Sequence, residues 1–252
     1  MAKPAKSDRQ KVIDDIRKKQ KSAEKRRGFM IVGVCVVVAL LIVGAAAYRP
    51  IKNSWDLRKF QDLDLATIGA PATACDEITT KPAEGSNDHV PTNTPVAYDD
   101  APPAFGAHWN EYGVAPAPFS EKFYVADDRP PLESLVHNLE HGYTIVWYDE
   151  TIADDNEALT ELKAVSRKFP GTDNYRYKFI AAPWTSADEK DGAKFPEDKH
   201  IAYTHWSVGG EGESDASKQV GVWQYCTEFS GEALEDFMVE YPYLDSPEPN
   251  VE

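Results

Sequence analysis

The stretch His137-Asn138-Leu139-Glu140-His141-Gly142, continued by Tyr143-Thr144-Ile145-Val146-Trp147-Tyr148, decides how this chain reads. Pro130 and Pro131 precede it where a helix can start, and Gly142 stands where one stops. At helical spacing His137 and His141 lie one turn apart with Glu140 between them, so all three share a face. Leu135, Val136 and Leu139 cover the remaining sides. The following six residues are β-branched or aromatic and predict a buried strand. Two imidazoles and a carboxylate therefore sit at a helix-to-strand junction, a rigid mount for a site.

Working outward, the pattern stays mixed. Helices are predicted at Leu132–His141, Asn156–Phe169 and Gly231–Tyr241, and strands at Lys122–Ala126, Tyr143–Tyr148, Tyr177–Trp184 and Ile201–Trp206. This mixture gives an α+β domain with helices packed on a small mixed sheet. Residues 69–120 are rich in Pro, Ala, Asn and Gly and predict ordered loops or short strands. Within them the run from Pro102 to Gly113 fixes the backbone and presents His108 at a defined place. The tail from Pro242 is acidic and Pro-bearing and reads as extended. The five tryptophans Trp109, Trp147, Trp184, Trp206 and Trp223 read as core.

The 252 residues carry a formal net charge of −15, unevenly divided. Residues 1–28 hold eleven Lys and Arg against four Asp and Glu, and the rest sixteen against thirty-eight. An acidic main body repels phosphate, which excludes nucleic acid as its partner. Between the two parts, Phe29 to Tyr48 is an apolar run without a charge, about 30 Å long as a helix, the thickness of a bilayer core. Lys25, Arg26 and Arg27 precede it, so the positive-inside rule puts the N-terminus in the cytoplasm and everything after Arg49 outside. The chain thus divides into a basic, disordered cytoplasmic tail (1–28), a single transmembrane helix (29–48), a partly helical juxtamembrane stalk (49–69) and an extracytoplasmic domain (70–252). A cleaved signal peptide processed at Ala45-Ala46-Ala47 is the rival reading, and it too exports the acidic domain.

Cys35 lies in the apolar run, and the exported part holds only Cys75 and Cys226. An oxidising compartment allows them one intramolecular disulfide, with two free thiols as the alternative.

The histidines carry the chemistry. His108, His137 and His141, with Glu140 beside them and His89 near, are candidate metal ligands, and imidazole suits zinc and copper. The alternative is a metal-free cluster whose hydrogen bonds pin the loop of His108 to the sheet. His200 and His205 read as surface or edge residues. His-x-x-Glu-His also resembles the inverzincin protease signature, in which the histidines bind zinc and the glutamate is the general base. Such an enzyme needs a third ligand, for which Glu157 and Glu161 are available.

Further motifs carry a fuller resemblance. Asp88-His89-Val90 with Tyr98, Pro102 to His108, Tyr112-Gly113, His137 to Tyr148, Thr204-His205-Trp206 and Ser246-Pro247-Glu248-Pro249 together resemble the DUF3105 family of exported or membrane-anchored bacterial proteins. Trp206, followed by Ser207, departs from the Ala-Trp-Gly-like segment of that family. The resemblance implies no reaction. Members with a single anchor resemble accessory subunits of the actinobacterial cytochrome bcc–aa3 supercomplex, which implies an outer-face protein partner in the cell membrane.

Overall fold

A computed structural model describes residues 8–83, 87–189 and 192–251, which form two compact units, Met1–Trp55 and Asp56–Glu252. The first is helical. Helix α1 (Asp8–Arg58) contains the one described helix long and apolar enough to cross a membrane, Arg9–Tyr48, and none of its apolar window is buried within the chain. Residues 8–28, expected as a disordered tail, are helical; residues 1–7 of that tail lie outside the described residues. The physical reason is composition: Lys, Arg, Gln and Glu are good helix formers, and extending a helix already nucleated by the apolar run costs little.

The second unit, the head, follows the mixed α+β pattern. In chain order it contains β1 (Thr79–Pro82), β2 (His89–Val90), β3 (His108–Trp109), α2 (Leu132–Glu140), β4 (Thr144–Tyr148), α3 (Glu150–Asp154), α4 (Asn156–Ser166), β5 (Phe179–Pro183), β6 (Ile201–Ser207), β7 (Val220–Cys226) and α5 (Gly231–Glu240). Five strands form one sheet in the order β1-β7-β6-β4-β5. Within this sheet β4 and β5 are the parallel pair, and α3 and α4 make their crossover.

Both faces of the sheet are covered, and the period of two decides which side chain goes where. Ile145 and Trp147 of β4, Ile180 and Ala182 of β5, and Ala202 and Trp206 of β6 face Leu135, Val136 and Leu139 of α2. The alternate residues Val146, Tyr148, Phe179, Ala181, Ile201 and Tyr203 face Leu162 and Val165 of α4 and Leu234 and Phe237 of α5. All five of the tryptophans read as core are buried. Full burial of one such aromatic or aliphatic side chain is worth about 1.5–3 kcal/mol.

Several boundaries differ from the sequence reading. The head begins at Asp56, and Leu57, Phe60 and Ile68 are buried in its core, so residues 56–69 are part of it rather than a stalk. Lys122–Ala126 is not a strand. A turn at Val125–Arg129 follows too closely, and only Phe123 bridges to Ala181 of β5. Strand β7 was not expected, because Gly221 interrupts its apolar pattern. A Cβ there would lie 2.4 Å from the Phe105 ring. His205 is fully buried in β6, between β4 and β7, and is not an edge residue.

The acidic tail is not a free extension. The Asp245 carboxylate accepts from Ser207 Oγ (2.6 Å), Val208 N (3.0 Å) and Gly210 N (2.8 Å), which draws the tail onto the end of β6. Cys75 and Cys226 form the disulfide at an S–S distance of 2.03 Å, closing a loop of 151 positions between the entry segment and the end of β7. Cys35 is a free thiol.

Candidate functional site: a histidine–glutamate cluster

Helix α2 is the platform. It starts after Pro131 and ends where Gly142 takes φ +89°, a left-handed conformation open to glycine. A Cβ at Gly142 would stand 2.2 Å from the Tyr243 carbonyl oxygen, so the same glycine lets the tail approach. Helical spacing then puts His137, Glu140 and His141 on one face, as the sequence predicts, and all three are buried.

The facing side comes from the irregular segment. Strands β2 and β3 are only two residues each and pair in parallel, with His89 opposite His108. Tyr98 Oη donates to the Ala107 carbonyl (2.7 Å) and Trp109 Nε1 to the Thr94 carbonyl (2.8 Å), which tie this segment to itself. His108 lies 4.9 Å, ring centre to ring centre, from both His89 and His137, and His137 lies 4.5 Å from His141. The imidazoles therefore converge.

Hydrogen bonds set the tautomers. His108 Nδ1 lies 2.8 Å from the Gly106 carbonyl oxygen and His137 Nδ1 2.7 Å from the Trp109 carbonyl oxygen. A carbonyl can only accept, so both Nδ1 atoms carry protons, and Nε2 is the atom left for a further proton or a metal ion. The His108 Nε2 points at Glu140, while the His137 Nε2 lies closer to His141. Glu140 Oε2 lies 2.9 Å from His108 Nε2, 3.5 Å from His89 Nε2 and 4.0 Å from His137 Nε2, while its Oε1 accepts from Asn87 Nδ2 at 2.9 Å.

Burial, joined by the nearby His141 and His108, pushes the His137 imidazole down to about 3, and its bond to the Trp109 carbonyl offsets only part of this. It is therefore neutral at neutral pH, the form that binds metals. Burial alone would raise the Glu140 carboxyl, but the His108 hydrogen bond and the charges of His108, His137 and His89 outweigh it and hold the group below the usual carboxylate range.

The donor atoms of His89, His108, His137 and Glu140 all lie within 4.8 Å of one another, a spacing that can hold a metal ion. Four ligands at tetrahedral zinc distances stand about 3.3 Å apart, so small side-chain shifts suffice. His141, expected in the same set, turns toward a neighbouring group instead. Its Nε2 lies 3.1 Å from His137 Nε2 and 3.6 Å from Glu248 Oε2, and Glu140, His141 and Glu248 form a second cluster. Glu157 and Glu161, on α4, are in neither cluster; Glu157 pairs with Lys59.

The sequence reading missed Glu248, Asn87 and the two carbonyls at Gly106 and Trp109. The Pro-flanked Glu248 was quoted as a motif, and only the folded-back tail gives it a role. His200, expected at the surface or an edge, directly precedes β6, is partly buried and pairs with Asp149 at 2.8 Å, and it is in neither cluster.

No curated protein and no solved structure matches this chain. A family model described as a protein of unknown function (DUF3105) matches residues 89–251. The match runs from His89, at one end of the cluster, past Glu248 at the other and takes in more than half of the residues. The chain belongs to the DUF3105 family.

Proposed function

We propose that this chain is a single-pass membrane protein whose extracytoplasmic head binds one divalent ion of borderline softness, zinc or Cu(II), through His89, His108, His137 and Glu140. The observation that carries the reading is the proton balance at His108. Its Nδ1 proton is held by a carbonyl and its Nε2 lies 2.9 Å from a carboxylate oxygen, so the two atoms have to share a cation, a metal ion or a proton. Two acceptors at that distance repel unless a cation lies between or beside them. Carbonyls holding Nδ1 of metal-ligating histidines are the usual outer support of such sites. The ion would tie the β2–β3 segment to α2. Cu(I) suits this set less, because Met238 is the head's single methionine.

The test is metal analysis of the detergent-solubilised chain. The expected result is one tightly held ion per chain, lost in His137→Ala. A proton between His108 and Glu140 is the competing solution. A wild type without stoichiometric metal, and a His137→Ala variant that differs only in thermal stability, would establish that polar staple in its place.

A second reading concerns the partner. We infer that the protein is an accessory or assembly subunit of a membrane respiratory complex of the bcc–aa3 type, in the cell membrane with its N-terminus cytoplasmic. Support comes from the family resemblance and from α1, whose apolar window has no cover of its own and offers a lateral surface to other helices or lipid. Protease shaving of intact cells should remove the head and leave α1 protected. Co-purification with oxidase subunits after mild solubilisation is expected. A chain that migrates alone, with normal oxidase assembly in its absence, overturns the reading.

A further inference from the structure

We propose that the head carries a second divalent-cation position, formed by Glu140, His141 and Glu248, with Glu140 as the carboxylate shared between two ions. The proposal rests on the four-ligand site described above and extends it. The donor atoms of the three residues lie within 4.8 Å of one another.

Glu248 is held as a ligand is held. Its side chain is half exposed, yet its backbone is fixed. Glu248 N donates to the Glu140 carbonyl at 2.9 Å, so the two glutamates of the cluster are joined through the main chain. On one side the tail is held by the Asp245 carboxylate, which accepts the N–H groups of Val208 and Gly210. On the other, buried Lys178 donates from Nζ to the carbonyls of Pro249 (2.9 Å) and Val251. The same ammonium donates to the His141 carbonyl at 2.7 Å, so one lysine sets both His141 and the tail that brings Glu248 to it. An extended surface tail would need none of this.

The two positions differ in chemistry. The first has four protein ligands, three of them deeply buried. The second has three, one facing solvent, which leaves a coordination position for water, as in open metal sites. His141 Nε2 already lies 3.6 Å from Glu248 Oε2 and 3.1 Å from His137 Nε2, so it stands between the two positions. Two ions add four positive charges to two carboxylates, so the second binds more weakly than the first. A carboxylate shared by ions about 3.5–4 Å apart is the arrangement of two-metal centres.

The test uses the full chain in detergent, stripped with a chelator and titrated with Co(II), followed by visible absorption and calorimetry. The wild type should take up two ions, the second at least about tenfold more weakly. Glu248→Gln should take up one, with the affinity of the first step within about threefold of wild type. His141→Gln should behave the same way, and near-ultraviolet circular dichroism checks that both variants are folded. One ion in the wild type, or two in folded Glu248→Gln, overturns the second position and leaves the first standing. No ion in the wild type overturns both.

Discussion

His108 and Glu140, 32 positions apart in the chain, meet with Nε2 and Oε2 at 2.9 Å in an environment where neither side chain is more than 1% exposed. One comes from a two-residue strand in an otherwise irregular segment, the other from the last turn of α2. The contact is therefore a tertiary staple whatever fills it, because it joins the least regular part of the head to its most buried helix.

Glu140→Gln tests that staple. The change keeps the shape but removes the charge facing three imidazoles. Loss of a buried charged partner costs about 3–5 kcal/mol, so the urea midpoint should fall clearly and metal uptake should be lost. An unchanged midpoint would mean that the carboxylate carries no structural weight.

Acid should destabilise the metal-free head, and the sign follows from three groups. Glu140 is held below the usual carboxylate range, so its contribution is full above about 4.3 and is lost as pH falls through its lower folded value. His137 is pushed down to about 3, and burial also lowers His205, so in both cases the unfolded chain takes up the proton first. Stability should therefore decline as pH falls from about 6.5. In His137→Asn the slope of unfolding free energy between pH 6.5 and 4 should be shallower by up to about 1.4 kcal/mol per pH unit. Equal slopes in the two proteins would remove His137 from the account.

The Cys75–Cys226 bridge should be intact in protein isolated without reductant, with both thiols unreactive toward an alkylating agent in mass spectrometry. In the loop-entropy model a crosslink spanning 151 positions stabilises by about 5 kcal/mol. Cys75→Ser with Cys226→Ser should lower the melting temperature and raise hydrogen exchange first in the entry segment before β1. Uniform exchange across the head would show that the bridge does not act locally.

Gly142→Ala should be far more damaging than a surface Gly→Ala change. It forces φ +89° on a residue with a Cβ and sets that Cβ against the Tyr243 carbonyl. Strain of about 1–3 kcal/mol is expected before the steric cost. Because Tyr243 lies in the tail that carries Glu248, limited proteolysis should also cut the variant faster after residue 241. Wild-type resistance there would show that the tail docks independently of this glycine.

How much of this lies in the sequence divides along a physical line. The long apolar helix, the α2 platform, the shared face of His137, Glu140 and His141, and β4, β5 and β6 follow from local periodicity, Pro and Gly placement and charge, because each depends on neighbours within a few turns of chain. His108 was expected at the cluster because an irregular loop needs somewhere to dock. The pairing of β2 with β3, the burial of His205, strand β7 and the return of the acidic tail depend on partners far away in sequence. Tail composition predicts an extended segment, since acidic and Pro-bearing chain has little apolar surface to bury. Only the folded head, with Asp245 capping backbone amides and Lys178 collecting carbonyls, supplies the polar partners that hold it down. That is why all four ligands of the first cluster and its neighbour His141 could be named from residues alone. Glu248 took its place only once long-range hydrogen bonds had closed the tail over the end of α2.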